Sequence, residues 1–249
     1  SFLKERADFV HVFKDSALSQ IDGEKVELKS IIARFNPTSD YRIMIMAHWD
    51  TRKYADMEDD EKKALEPVLG ANDGASGIAV LMSLSDILKD NKLYNIGVDL
   101  LFIDGEDMGI SENPDSWAVG TQLIAKNMLK PYPEYAICLD MIGDKEQKFY
   151  IEGFSYMYAP EIVEKVWTLA NDLGYTQFVN QVGKPIIDDH YALMKYTGIP
   201  AIDIIDFEYP NTVENYWHTT EDTPDKCSAV SLESVGTVIA TLIYKEENK

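Results

Sequence analysis

One stretch limits the folds open to this chain more than any other: Leu100-Leu-Phe-Ile-Asp-Gly-Glu-Asp107. The largely apolar run Val98 to Ile103 stops abruptly at Asp104, Gly105, Glu106 and Asp107. An unbroken apolar run of that length reads as a strand buried on both faces, which belongs to a sheet covered by helices. Open α/β sheets do their chemistry at the carboxyl ends of the strands, so acids at this tip stand where chemistry is done. Neighbours on an extended tip point to opposite sides, so Glu106 and Asp107 can take separate jobs, one gripping a metal and one moving substrate protons. A solvated acidic turn would share the local sequence. The same pattern elsewhere in the chain weighs against it.

Taken in order, residues 2–19 predict a surface helix from the spacing of Phe2, Leu3, Ala7, Val10 and Phe13. Val26 to Phe35 predicts a strand, with Tyr41 to Ala47 as its hairpin partner, ending in Ala47-His48-Trp49-Asp50. A His two residues from an Asp is either a metal ligand held by a carboxylate or a hydrogen-bonded structural histidine. Thr51 to Leu69 predicts a loop, and Gly70-Ala-Asn-Asp-Gly-Ala-Ser-Gly77 leads into a helix over Ile78 to Leu88. Asp73 at that helix start is an N-cap or a metal ligand. Ser116 to Met128 has helical spacing, with Trp117 in the core or on a pocket wall. Tyr135 to Leu139 is a further buried strand ending in Asp140. Pro160 to Leu173 is helical, closed by Gly174. Ile186-Ile-Asp-Asp-His190 opens a short helix, with Asp188 and Asp189 at its start. The last strand begins at Gly198 to Asp203, and Ser231 to Tyr244 closes the chain as a helix.

The length of 249 residues and the absence of a linker predict one α/β domain over residues 1–249. A net charge of −20 argues against nucleic acid or an anionic membrane as partner. No apolar run approaches the ~20 residues of a membrane span, and the opening residues lack the layout of a secretory signal. Two cysteines make no disulfide framework: Cys138 reads as a small core residue, and Cys227 is undecided. Trp49 and Trp167 read as packing, His11 as a surface residue and His190 as a structural one. Glu152, Glu161, Glu164, Glu246 and Glu247 read as solvated faces.

What remains is a constellation: His48, Asp73, Glu106, Asp107, Asp140, Asp188 and His218, nearly all at strand ends or helix starts. Carboxylates mixed with imidazole suit zinc, and a catalytic zinc site needs protein ligands plus an open position. His48-Trp-Asp50, Gly70 to Gly77, Asp104-Gly-Glu-Asp107, Leu139-Asp-Met-Ile-Gly143 and Trp217-His-Thr219 together resemble the ordered motifs of the zinc aminopeptidase and glutaminyl cyclase superfamily. Asp188-Asp-His190, Trp217 directly before His218, and the stretch His48 to Asp56 resemble the glutaminyl cyclases, especially bacterial enzymes of the animal type.

The resemblance implies a single-domain α/β sandwich, its mixed, mostly parallel central sheet flanked by helices. It implies one zinc per chain held by Asp73, Asp107 and His218, with Glu106 as general acid/base. Asp140 and Asp188 would form a hydrogen-bonded acidic network beside Glu106, and Trp217 would wall the pocket. The implied substrates are peptides or proteins with N-terminal Gln, and the implied location is periplasmic or secreted. Two positions depart from the pattern. Asp107 is one methylene shorter than the usual Glu, and Asp203 stands where the animal cyclases carry His. The alternative is a dinuclear zinc aminopeptidase using His48, Asp73 and Asp140 for a second metal. A non-catalytic peptide-binding module is disfavoured because Glu106 and the ligands are all retained.

Overall fold

The computed structural model describes residues 2–249. Where a surface helix was expected, the chain makes a short 3-10 turn, Phe2–Glu5, and then a long strand, β1 (Phe9–Leu18). Val10, Val12 and Phe13 are as well suited to a strand as to a helix. Pairing decides: β1 runs antiparallel along β2 (Lys25–Phe35) across the turn at Asp22-Gly23. The second expectation corrected is the hairpin between β2 and β3 (Arg42–His48). β2 pairs instead with β4 (Gly97–Ile103), and β3 lies parallel between β4 and β5 (Tyr135–Asp140). Every residue of β3 is buried, so it belongs in the middle of the sheet with a neighbour on each side.

The six-stranded sheet has the order β1-β2-β4-β3-β5-β8, with β8 at Ala201–Ile205. Its first two junctions are antiparallel and the rest parallel. A small parallel pair, β6 (Phe149–Ile151) and β7 (Phe178–Val182), stands apart from it.

Alternation along the strands sends successive side chains to opposite faces. Ile43, Ile45 and Ala47 of β3 join one apolar layer, beneath α1 (Ala75–Asp90), α4 (Pro160–Asp172) and α6 (Ala229–Glu247). Met44 and Met46 join the other, beneath α2 (Val119–Lys126) and α5 (Asp189–Thr197). Both β7 and the short helix α3 (Gly153–Tyr158) went unread in the sequence.

Three glutamates read as solvated are buried. Glu152 caps α3, accepting from the Phe154 and Ser155 N–H groups, and faces His190 Nε2 at 2.9 Å. Glu247 accepts from the N–H groups of Tyr94, Asn95 and Ile96, and Glu246 pairs with Lys165 at 2.8 Å. Loop N–H groups left without partners require such acceptors, and local sequence gives no sign of which acid serves.

Candidate metal centre and active site

Because β4, β3, β5 and β8 run parallel, their carboxyl ends come together. The chain moves from β3 outward to β4, then crosses back over β3 to β5, and ligands in open sheets gather at such a reversal. His48 ends β3 and Asp140 ends β5; Asp73 precedes α1, Asp188 caps α5, and Trp217 and His218 lie on the loop after β8. Strand β4 stops at Ile103, so Glu106 and Asp107 stand on a bend beyond it rather than on an extended tip. Gly105 (φ 85°) makes that bend.

The structure brings Asp73, Asp107 and His218 into one group, their donor atoms all within 4.8 Å of one another. His218 Nε2 is 3.0 Å from Asp107 Oδ1 and 3.5 Å from Asp73 Oδ2. Asp73 also reaches a second group: His48 Nε2 lies 3.1 Å from its Oδ1 and 3.2 Å from Asp140 Oδ1.

The donor set fits a divalent cation. Asp107 is fully enclosed, yet neither of its oxygens has an aligned hydrogen-bond donor. A buried carboxylate left so is costly unless a cation completes it. Burial lifts the Asp107 carboxyl to about 6. Burial alone would lower the His218 imidazole, but Asp107 and Asp56 reverse this and carry it to about 9.

A surrounding layer holds these groups in place. His218 Nδ1 is 3.3 Å from Asp56 Oδ1, which leaves Nε2 for the centre, as ligand histidines require. Asp50 accepts from the N–H groups of Glu106 (3.2 Å) and Asp107 (3.0 Å). Asp222 accepts from those of Asn72 (2.8 Å) and Asp73 (3.1 Å) and is reached by the Tyr209 hydroxyl. Arg52 donates to the carbonyls of Asp107 and Gly109 and pairs with Asp56. Gly74 (φ 100°) is required, since a Cβ there would sit 2.7 Å from the His48 ring. His218 itself holds φ 55° and Met141 φ 44°, strained backbone of the kind found at working sites.

Glu106 faces the same cleft. Burial, reinforced by the charge of Asp188, holds its carboxyl well above the ordinary range. Burial likewise lifts Asp140 to about 7. The expected acidic network is therefore joined to Glu106 by charge. The hydrogen-bond partner of Asp140 is His48, and those of Asp188 are the Asp189 N–H and the Cys138 thiol.

The cleft encloses about 750 Å³. Trp217 stacks on His218 with ring centroids 3.8 Å apart and tilts against Phe207 at 5.0 Å. Trp117 also lines the cleft and stacks toward His218 at 6.0 Å. Sequence reading left Trp117 open and missed Phe207, Arg52, Asp56 and Asp222. Arg52 and Asp56 stood in a stretch already singled out; Phe207 and Asp222 carry no local pattern.

Residues 30–243 match the profile of peptidase family M28. A glutaminyl-peptide cyclotransferase of Bothrops jararaca is 22% identical over 251 aligned positions, covering 88% of this chain and 66% of that protein. Among solved structures, a glutaminyl cyclase of Bacteroides thetaiotaomicron bound to N-acetylhistamine superposes with TM-score 0.92 at 33% identity, over 98% of this chain and 86% of that one. A Zn-dependent exopeptidase of Parabacteroides distasonis gives TM-score 0.91 at 37% identity, with the same coverage.

Proposed function

The chain belongs to peptidase family M28, and within that family we propose that it is a glutaminyl-peptide cyclotransferase, closing the N-terminal glutamine of peptides to pyroglutamate and releasing ammonia. The cyclotransferase and cyclase relatives support this reading. The observation that carries it is Glu106, a buried carboxyl raised by burial and by Asp188 beside three donors able to hold a metal. An enzyme that must take a proton from an amine and return it to departing ammonia needs such a group near neutral pH.

One zinc held by Asp73, Asp107 and His218 would act as a Lewis acid on the side-chain carbonyl of the substrate. The remaining work falls to the protein. The aromatic wall of Trp217 and Phe207 packs the glutamine side chain and excludes water. Asp140 and Asp188 attract the substrate's amino end. Glu106 takes a proton from the α-amine as its nitrogen bonds to the side-chain carbonyl carbon. It then gives that proton to the amide nitrogen as the C–N bond breaks, so ammonia leaves and Glu106 returns to its starting state. Holding amine and amide in contact supplies much of the acceleration for a ring closure.

Incubating a Gln-initiated peptide with zinc-loaded protein should release one ammonia per peptide, read by mass spectrometry and an ammonia assay. An unchanged peptide mass would end the proposal. The His48–Asp73–Asp140 group favours a second reading, a dinuclear zinc aminopeptidase. Metal analysis and product separate the two: about two zincs with free amino acids, or about one zinc with ring closure. Among the described residues no helix is long and apolar enough to cross a membrane. The proposal extends to an exported, periplasmic enzyme, which cell fractionation tests.

A further inference from the structure

Under the floor of the cleft lies a set of donors that this reaction does not use together. Cys138 on β5 and Asp203, its register partner on β8, meet Asp188 at the start of α5. Their donor atoms all lie within 4.8 Å of one another, and all three residues are buried. Cys138 Sγ is 3.6 Å from Asp188 Oδ2. Neither oxygen of Asp203 has an aligned donor, and it faces the Asp188 carboxyl, with which it can share only a proton or a cation. Facing them, His190 Nδ1 is also unpartnered, 3.5 Å from Asp203 Oδ2. His190 Nε2 is taken by Glu152 at 2.9 Å. In a neutral imidazole whose Nε2–H goes to Glu152, Nδ1 turns a lone pair on the carboxyl, acceptor against acceptor. Such an arrangement is costly unless a proton or a cation lies among these atoms.

We propose that Cys138, Asp188 and Asp203 form a second cation site, for a thiophilic divalent ion such as zinc or cadmium, separate from the Asp73–Asp107–His218 centre. The sulfur selects zinc or cadmium over magnesium or calcium. Bonds of ~2.3 Å to sulfur and ~2.1 Å to oxygen at a tetrahedral angle set those two donors about 3.6 Å apart, the separation between Cys138 and Asp188. Asp188 lines the cleft, so an ion enters past it. The Cys138 thiol gives its proton to solvent as the sulfur binds. Resting on the cyclase reading, occupation also withdraws Asp188 from Glu106, so excess zinc lowers turnover.

The test uses zinc-loaded protein carrying Cys227→Ser, which leaves Cys138 as the only thiol. Titrated with cadmium, it should bind one further equivalent and develop the ultraviolet sulfur-to-cadmium charge-transfer absorption. Cys138→Ala in that background should abolish the absorption. Asp203→Asn, which changes no volume and stands in should the alanine variant fail to fold, should weaken cadmium binding at least ~10-fold. No further equivalent, one without thiolate absorption, or unchanged affinity in Asp203→Asn overturns the site. Absorption without loss of turnover in excess zinc would leave the site standing and strike the role given to Asp188.

Discussion

The two ends of the central sheet bury charge in opposite ways. Near the start of β4, Asp99 lies between two guanidiniums: Arg42 Nη2 is 2.7 Å from its Oδ1 and Arg34 Nη2 is 3.2 Å from its Oδ2. Both arginines also donate to main-chain carbonyls, those of Ser39 and of Lys130 and Leu129. Past the other end of the same strand, Glu106 and Asp107 are buried with Asp73, Asp140, Asp188 and Asp203. Arg52, the guanidinium nearest them, is largely taken up by Asp56 and by carbonyls. Two guanidiniums answer the one carboxylate and tie β2, β3 and β4 together. Surplus negative charge raises proton affinities and waits for a cation, which is what a metal-dependent acid/base site requires.

The sharpest way to break this contrast is Glu106→Gln. Turnover of a Gln-peptide should fall ~100- to 10,000-fold while zinc content and Tm hold; a variant as fast as the parent would remove Glu106 from its role. At the opposite end Arg42→Met should do the reverse. The change leaves Asp99 with Arg34 alone and should cost up to about 3–5 kcal/mol in urea unfolding, with activity per folded molecule unchanged. A stability loss under 1 kcal/mol would mean that Asp99 is protonated or that Arg34 alone holds its charge.

The cluster at Glu152 tests pairing by titration. Burial opposes its charge, but His190 and the N–H groups of Phe154 and Ser155 outweigh burial and hold the carboxyl at about 2, against an ordinary 4.5. A depressed acid stabilises the fold above its unfolded value and loses that contribution as pH falls. Glu152→Gln should therefore cost about 3 kcal/mol at neutral pH, and the difference from the parent should close between pH 4.5 and about 2. A difference that stays constant through that window would assign the cost to packing.

Removing the metal comes next in size. Zinc at a hundred times its dissociation constant stabilises by about 2.7 kcal/mol, so chelation should lower Tm in the parent and much less in Asp107→Asn. Smallest of all is the exposed pair Arg6–Asp86, which has the same 2.7 Å separation as Arg42–Asp99 but a half-exposed carboxylate. Asp86→Asn should cost under ~1 kcal/mol, and a larger effect would show that distance matters more than burial.

Much of the site was legible in the sequence because its residues sit at transitions the sequence marks. Apolar runs end at Ile103 and Leu139, a small-residue turn holds Asp73, and Asp188 opens a helix. Periodicity and turn chemistry are local, and they are enough to place strands, helices and the acids between them. The errors share one cause. Whether Phe9–Leu18 is helix or strand, and whether β3 lies beside β2, depends on partners far along the chain. So does the burial of Glu152 and Glu247, whose partners are loop N–H groups and a histidine from other elements.

By itself, then, the sequence determined the class of fold, the end of the sheet at which the acids gather, and the residues brought together there. Tertiary structure alone decided which acids are matched by cations. Asp99 and Asp107 are both aspartates of the β4 region, one inside the apolar run and one past its end, but their neighbours along the chain do not say which of them a guanidinium reaches. Arg42 donates to Asp99 Oδ1 at 2.7 Å, while Asp107 has no aligned donor and only the His218 imidazole at 3.0 Å. The energy of a buried charge depends on what lies within a few ångströms of it in space, and that is settled only when the strands pair.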